Sequence, residues 1–267
     1  MKIAVIPDVH NKIRAVDRIL ASDSFDQVIF LGDIWDDFHD TPDDATDVAR
    51  WVKGLVRDKR ITFLWGNHDI SYGFRNRAIL CSGYGFGKDC AIWKILDERD
   101  FSLWKFFWHA QGFLFSHAGL HPRFLPPLWK EKDITTKNLK EYLSHESSKC
   151  LIELNQDSGF HWFFIAGDAR RHTPVGIPVG GLLWCDARTE FEPVPNLSQV
   201  FGHTAFKEYP TIISGDTGLD RISSAECLKL LIDAKAHKNV ALDCHLKFYA
   251  VIEDGHLQIR PSSYGNV

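Results

Sequence analysis

Five short apolar stretches in this chain each end in a glycine or polar turn that carries carboxylate, imidazole or amide side chains. The first three are Ile3–Ile6, Gln27–Leu31 and Ile61–Trp65, and apolar residues at helical spacing separate them. This order predicts a β-α-β-α-β unit of buried strands whose carboxyl ends lie at the same edge of a sheet. Because ligands gather at that edge, the residues directly after each strand are the candidates for function.

The second half of the sequence predicts further strands, and its last part has the pattern of an antiparallel sheet. These strands are predicted at Phe113–Ser116, Val200–Phe201, Lys247–Ile252 and His256–Arg260. Asp254-Gly255 is typical of a tight hairpin turn. A Trp- and Phe-rich segment ahead of Phe113 is predicted to be helical. No linker is evident, so we expect a single domain over residues 1–267.

A longer segment, at about residues 122–165, opens with three prolines and continues with an amphipathic helix pattern. Two interpretations of this segment are equally open. It is either a helical cap inserted over the functional site or an ordinary packing helix of the main domain.

Composition excludes several classes of protein. The chain has 31 basic and 35 acidic residues and a formal net charge of −4, which argues against extended binding of nucleic-acid backbones. Apolar stretches stay far below the roughly 20 residues that span a bilayer. The first apolar run ends at Pro7, too early for the core of a secretion signal. The six cysteines form no Cys-x-x-Cys pair, so we expect a soluble cytoplasmic protein with reduced thiols and no membrane association.

The turns after the five apolar stretches form a series of motifs. In chain order they are Asp8-Val9-His10, Gly32-Asp33-Ile34-Trp35-Asp36, Gly66-Asn67-His68-Asp69, Ser116-His117-Ala118-Gly119 and Gly202-His203-Thr204. Each motif alone is weak, because a single histidine after a strand is more often structural. Together, their carboxylate, imidazole and amide groups are ligands suited to Mn²⁺, Fe or Zn²⁺. The series predicts a dinuclear metal site.

These motifs resemble the signature of the calcineurin-like metallophosphoesterase superfamily: Asp-x-His, Gly-Asp-x-x-Asp, Gly-Asn-His-Asp/Glu, a later His, and Gly-His. The resemblance extends from residue 8 to residue 204. It implies an α/β fold, a sandwich of two mixed β-sheets flanked by helices. Residues 116–120 and 181–186 look most like the phosphoprotein phosphatase branch, which includes the symmetrical diadenosine tetraphosphatases.

The resemblance implies six metal ligands shared between two divalent cations. Asp33 would bridge the two cations, Asp8 and His10 would hold the first, and Asn67, His117 and His203 would hold the second. Mn²⁺ is the first choice of metal, with Fe, Zn²⁺, Co²⁺ and Ni²⁺ as alternatives. Such a pair lowers the pKa of a shared water until a bridging hydroxide exists at neutral pH and can attack phosphorus.

His68 is predicted to be the general acid that protonates the leaving oxygen, with the carboxylate of Asp69 orienting its imidazole. The related phosphatases carry a phosphate-binding arginine after the second Asp of Gly-Asp-x-x-Asp, whereas Asp36 is followed here by Asp37. Arg188 is the predicted replacement clamp, and Asn67 is predicted to contact substrate as well. The alternative clamps are Arg75, Arg77, Arg170 and Arg171, and for every one of these arginines a solvated surface position is the commoner interpretation.

Six aspartates lie close behind Asp33: Asp36, Asp37, Asp40, Asp43, Asp44 and Asp47. A helix that begins at Thr41-Pro42 would account for Asp43 and Asp44. Asp36 and Asp37 could instead disfavour polyanionic substrates or engage a cationic one. Two later segments, 216–218 and 241–244, both resemble the aspartate turn that follows the last ligand, and we prefer the second.

The implied function is metal-dependent hydrolysis of a phosphoester, first of all a phosphomonoesterase similar to the serine/threonine protein phosphatases. The alternative substrates are a dinucleoside polyphosphate such as diadenosine tetraphosphate and, after that, a phosphodiester. The expected partner is therefore a phosphopeptide or a nucleotide. A hypothesis from another class, a non-catalytic metal-binding scaffold, is disfavoured because His68 and Asp69 are both present.

Overall fold

Two six-stranded sheets face each other and are flanked by helices in the computed structural model. The structure describes residues 1–156, 159–170, 178–206, 210–214, 221–222, 232–233 and 238–262. The helices are α1 Ile13–Ser22, α2 Pro42–Leu55, α3 Asp69–Phe74, α4 Phe86–Trp93, α5 Glu98–Phe101, α6 Thr136–Asn155 and α7 Gly167–Arg170. The strands are β1 Lys2–Ile6, β2 Gln27–Phe30, β3 Ile61–Phe63, β4 Phe107–Ala110, β5 Phe113–Ser116, β6 Ser198–Phe201, β7 Thr211–Ser214, β8 Arg221–Ile222, β9 Ile232–Asp233, β10 Lys238–Ala241, β11 Phe248–Glu253 and β12 His256–Pro261.

Both sheets mix parallel and antiparallel pairs. The first has the order β3-β2-β1-β11-β12-β9 and the second has the order β4-β5-β6-β10-β7-β8. β1, β2 and β3 are parallel, as the β-α-β-α-β pattern predicts, whereas β11 is antiparallel to β1 and to β12. The predicted sandwich of two mixed sheets with flanking helices is confirmed.

Side-chain alternation along the strands explains why the two sheets stack. Ile3 and Val5 of β1 face the second sheet and join the apolar layer between the sheets. Ala4 and Ile6 point the other way, into the larger core beneath the helices. Since β1 buries both faces, it has the continuous apolar sequence of a central strand.

Two sequence-based predictions in the second half need correction. Part of the aromatic segment ahead of Phe113 is not helical, because residues 107–110 form β4, which pairs antiparallel with β5. Aromatic side chains favour half-buried strands, and this preference prevails here. The strand at Val200–Phe201 is not antiparallel either: β6 runs parallel to β5 and to β10. The predicted hairpin is confirmed, with Asp254 and Gly255 both at positive φ between β11 and β12.

Helix α6 lies within the segment for which a cap was one interpretation. Its Leu139, Leu143, Cys150 and Leu154 are buried in the large apolar core. This packing supports the ordinary interpretation for the inner face of the helix.

The helix start predicted behind Asp33 is present in the structure. Thr41 caps α2, its hydroxyl accepting a hydrogen bond from the Asp44 backbone N–H while the Asp44 carboxylate accepts one from the Thr41 N–H. Asp47 pairs with Arg50 one turn later. Asp44 and Asp47 of the acidic run therefore have local structural partners.

Searched over its described part, the chain contains no helix with both the length and the apolar character needed to cross a membrane. Five of the six cysteines lie in that part, and all five are free thiols.

Candidate metal centre

The loops that follow β1, β2, β3, β5 and β6 meet at one edge of the sandwich, and backbone hydrogen bonds hold them together. The carbonyl of Asp33 accepts hydrogen bonds from the N–H groups of Val9 and His10, both at 2.9 Å. On the other side, the N–H of Gly202 donates to the carbonyl of His117 at 2.7 Å. The side chains predicted from the five motifs are thus brought to one place.

One group of potential ligands comprises Asp8, His10 and Asp33, whose donor atoms all lie within 4.8 Å of one another. The Nδ1 atom of His10 lies 3.1 Å and 2.9 Å from the carbonyl oxygens of Trp35 and Asp36. Because carbonyls only accept, Nδ1 carries the proton, and the neutral ring has its lone pair on Nε2. That nitrogen faces Asp33 Oδ2 at 3.8 Å.

The second group joins Asp33, His117 and His203, with Asn67 beside them. His117 donates from Nδ1 to the Leu31 carbonyl at 2.9 Å, which leaves Nε2 facing the other ligands. Nε2 lies 2.8 Å from Asn67 Oδ1 and 3.1 Å from His203 Nδ1. Neighbouring ligands of one octahedral cation are about 3 Å apart, so this spacing fits a shared metal ion.

Asp33 lies between the two groups. Its Oδ1 accepts the backbone N–H of His68 at 3.0 Å. Its Oδ2 faces His117 Nε2 at 3.4 Å and His10 Nε2 at 3.8 Å. One oxygen is therefore held by the backbone, and the other is directed toward both groups, as a bridging ligand requires.

Backbone geometry at the site is adapted to these close approaches. A Cβ atom on Gly66 would overlap the carboxylate of Asp33, and one on Gly202 would overlap the carboxylate of Asp8. His10, Asp33 and His203 all have φ between 42° and 67°, in the left-handed region that costs most residues energy. The donor set, the spacing and this cradle together fit a pair of divalent cations.

Buried charge at the site shifts several pKa values in the metal-free protein. Burial raises the pKa of Asp8. For Asp33, burial alone would raise the pKa, but His117, His68 and His10 outweigh it and hold the pKa well below its usual range. Burial would lower the pKa of His117, yet the nearby Asp33 prevails and raises it to about 9. Protons on histidine thus offset the carboxylates, and metal ions would compete with those protons.

His68 does not contact Asp69 in the way the sequence predicts. Its Nδ1 faces Asp36 Oδ2 at 3.2 Å. The Asp69 carboxylate accepts hydrogen bonds from the backbone N–H groups of Ile34 at 2.8 Å and Gly66 at 3.2 Å. Consecutive residues at a helix start do not face each other, so the His68 ring does not face the carboxylate of Asp69. Asp69 instead ties two loops of the site together.

A cavity of about 480 Å³ opens over both ligand groups. Besides predicted ligands and His68, its walls contain residues that the motifs do not identify. These are Phe38, Cys81, Ser82, Trp184, Ala205, Cys244 and His245. Trp184 and Cys244 lie in segments singled out by resemblance, but no local pattern marks Cys81 or Ser82. Cys81 and Ser82 belong to the segment that follows β3 and α3, and the path of this segment brings them to the cavity.

The predicted phosphate clamp is not brought into this cavity. Arg188 forms a two-pronged ion pair with Asp186, at 2.7 Å and 3.2 Å, and is not among the described residues lining the cavity. Arg75 pairs with Asp89 and lies over the Trp93 ring. Arg77 lines a different cavity, beside Arg75. The side chains of Arg170 and Arg171, and the segment 216–218, lie outside the described part of the structure.

Residues 1–206 match the family model described as calcineurin-like phosphoesterase, and this range contains all six predicted ligands. The chain belongs to the calcineurin-like phosphoesterase family. It is therefore a hydrolase that acts on phosphoric esters, and members of the family bind divalent metals.

No curated protein matches the sequence. Among solved structures, a metallophosphoesterase from Sphaerobacter thermophilus aligns over 100% of this chain and 91% of its own, with 14% identity and a TM-score of 0.48. A candidate diadenosine tetraphosphatase aligns over 99% of this chain and 95% of its own, with 15% identity and a TM-score of 0.43. A serine/threonine protein phosphatase from Saccharomyces cerevisiae aligns over 98% of this chain and 79% of its own, with 12% identity and a TM-score of 0.47.

Proposed function

We propose that this calcineurin-like phosphoesterase is a phosphomonoesterase that uses two divalent cations, with Mn²⁺ as the preferred metal. The observation that carries the proposal is the position of Asp33 Oδ2 between the two ligand groups. Asp8 and His10 would complete the first cation's ligands, and Asn67, His117 and His203 those of the second. Bound there, the cations would lower the pKa of water and neutralise charge on the phosphoryl oxygens.

The chain's own residues supply orientation and a proton. Backbone carbonyls hold the rings of His10 and His117 so that each Nε2 faces the other proposed ligands. His68 lines the same cavity, and its Nδ1 faces Asp36. We therefore assign Nε2, the other ring nitrogen, to protonate the leaving oxygen, with the Cys81 thiol as a second neighbour of the ring. This arrangement supports His68 as the general acid and Asp36 as the residue that positions it.

A monoester is favoured over a longer polyphosphate by the cavity walls. Among the described residues that line the cavity there is no lysine or arginine. A single phosphoryl group can be neutralised by two divalent cations alone, whereas a tetraphosphate carries further charges for which these lining residues supply no cationic partner. A phosphomonoester is therefore the substrate class we propose, with phosphorylated serine or threonine in a peptide as its first candidate.

A substrate panel tests this proposal. The protein loaded with Mn²⁺ is assayed on p-nitrophenyl phosphate, bis-p-nitrophenyl phosphate, a phosphoserine peptide and diadenosine tetraphosphate, and again after removal of metal. We expect metal-dependent turnover that is fastest on the monoesters. A faster reaction on the diester or on the dinucleotide would reassign the substrate class. If the protein turns over none of these substrates in Mn²⁺, Zn²⁺, Co²⁺ or Ni²⁺, the result would contradict an enzymatic function and favour a metal-binding scaffold.

Cys81 offers a prediction about metal affinity. Its sulfur accepts a hydrogen bond from Asn67 Nδ2 at 3.2 Å, which turns Asn67 Oδ1 toward the ligands. Cys81→Ala removes that acceptor and lets the amide rotate, so we expect the Kd for Mn²⁺ to rise about tenfold. Calorimetric titration measures the change. Cys81→Ser keeps an acceptor and should bind nearly as tightly as the wild type; equal Kd values for all three proteins would contradict the role.

A further inference from the structure

The carboxylate of Asp36 is the centre of a buried network behind the candidate site. It is 2% exposed, and its two oxygens have different partners. Oδ2 faces His68 Nδ1 at 3.2 Å. Oδ1 accepts hydrogen bonds from the Tyr72 hydroxyl and the Lys88 ammonium, both at 2.6 Å.

Lys88 extends this network to a second loop of the site. Lys88 is the third residue of α4. Its exposure is only 7%, and such burial is rare for a lysine unless its charge is paired. Its Nζ also donates to Asp40 Oδ1 at 2.8 Å. Asp40 Oδ2 in turn accepts a hydrogen bond from Asn11, the neighbour of His10 in the chain. One buried cation thus links the loop after β2 to the loop after β1.

The Asp36 carboxylate cannot rotate freely, because each of its oxygens has its own hydrogen-bond partners. To turn its Oδ2 away from His68, the Asp36 carboxylate would have to break both short bonds on Oδ1. Its backbone is also strained, with φ of 68° in the left-handed region. A residue with such a backbone conformation stays in it only when its surroundings hold it. Lys88 and Tyr72 are the groups that do so here.

We propose that Lys88 is a positioning residue, whose ammonium holds Asp36 against His68 so that the imidazole stays aimed at the leaving oxygen. The inference rests on the proposed function, because it needs His68 to act as the general acid. It also gives a role to two carboxylates of the acidic run, Asp36 and Asp40. They face an internal cation of the protein and not a charged group of the substrate.

The test compares two aryl monoesters that differ only in how much they need a general acid. Dinitrophenyl phosphate has a good leaving group and needs little protonation, whereas phenyl phosphate has a poor one. For Lys88→Met we expect kcat on phenyl phosphate to fall by about 10- to 100-fold, with KM changed less than about threefold and little loss on dinitrophenyl phosphate. Lys88→Arg keeps the charge and should recover most of the rate. In a His68→Ala background, Lys88→Met should have no further effect.

Lys53→Met is the matched control. Lys53 pairs with the buried Asp100 and so also holds a buried carboxylate, but the other described partners of Asp100 are Arg57 and the Asp97 N–H, which lie outside the site. We expect both rates to be unchanged in this variant. If Lys88→Met fails to fold, Tyr72→Phe removes one donor to the same oxygen and keeps every charge. It should show a smaller loss, about 3- to 10-fold, with the same dependence on leaving group.

Two results would overturn the positioning role while leaving the hydrolase intact. One is an equal fall in kcat on both esters in Lys88→Met, and the other is an undiminished effect of Lys88→Met in the His68→Ala background. A wild-type protein that is inactive on both esters in every metal would overturn the proposed function, and the role of Lys88 with it.

Discussion

Replacing Asp33 by asparagine is expected to lower kcat/KM on p-nitrophenyl phosphate by about a thousandfold or more. Its Oδ2 is the oxygen that faces both ligand groups, and an amide has neither the charge nor the basicity to bridge two cations. The measurement is steady-state kinetics in saturating Mn²⁺, together with a metal-binding titration of the same variant.

Asp37→Asn is the control for Asp33→Asn, because Asp37 lies in the same loop but its side chain is exposed. We expect it to stay within about threefold of the wild type. A variant Asp33→Asn that keeps more than a tenth of the activity would show that Asp33 is not the bridging ligand.

The second large effect is expected at His68. His68→Ala should lower kcat on phenyl phosphate by about 10²- to 10⁴-fold, the usual contribution of a general acid, and should affect dinitrophenyl phosphate much less. Because the proposed ligands do not include this imidazole, the number of metal ions bound should stay the same. Kinetics on the two esters and a metal analysis of the purified variant test both statements.

Equal rates for wild type and His68→Ala on phenyl phosphate would remove the general-acid role and leave the metal centre unaffected. A loss of bound metal in this variant would show instead that His68 is a ligand or supports one.

The sequence predicts which side chains come together at the ends of the parallel strands. Asp8, Asp33 and Asn67 each follow a parallel strand, and parallel strands end at the same edge of a sheet, so local pattern alone brings them together. The sandwich fold followed from the family resemblance, and residues 1–206 match that family.

Contacts between residues far apart in the chain could not be predicted in the same way. Asp36 and Lys88 are separated by 52 residues, and no periodicity marks a lysine of α4 as the partner of a carboxylate behind β2. The sequence predicts that Asp69 orients His68 because the two are neighbours in the chain, but neighbours at a helix start point in different directions. The sequence predicts Arg188 as the clamp from its charge and its place directly after residues 184–186, whereas the structure pairs it with Asp186.

The most direct test of the proposed metal centre is the number of Mn²⁺ ions that the protein binds. Calorimetric titration of metal-free wild type should give two ions per chain, and the same titration of Asp33→Asn should show at least one of them lost or strongly weakened. A stoichiometry of one or none in the wild type, or two tight ions retained without Asp33, would contradict a dinuclear site bridged by this residue.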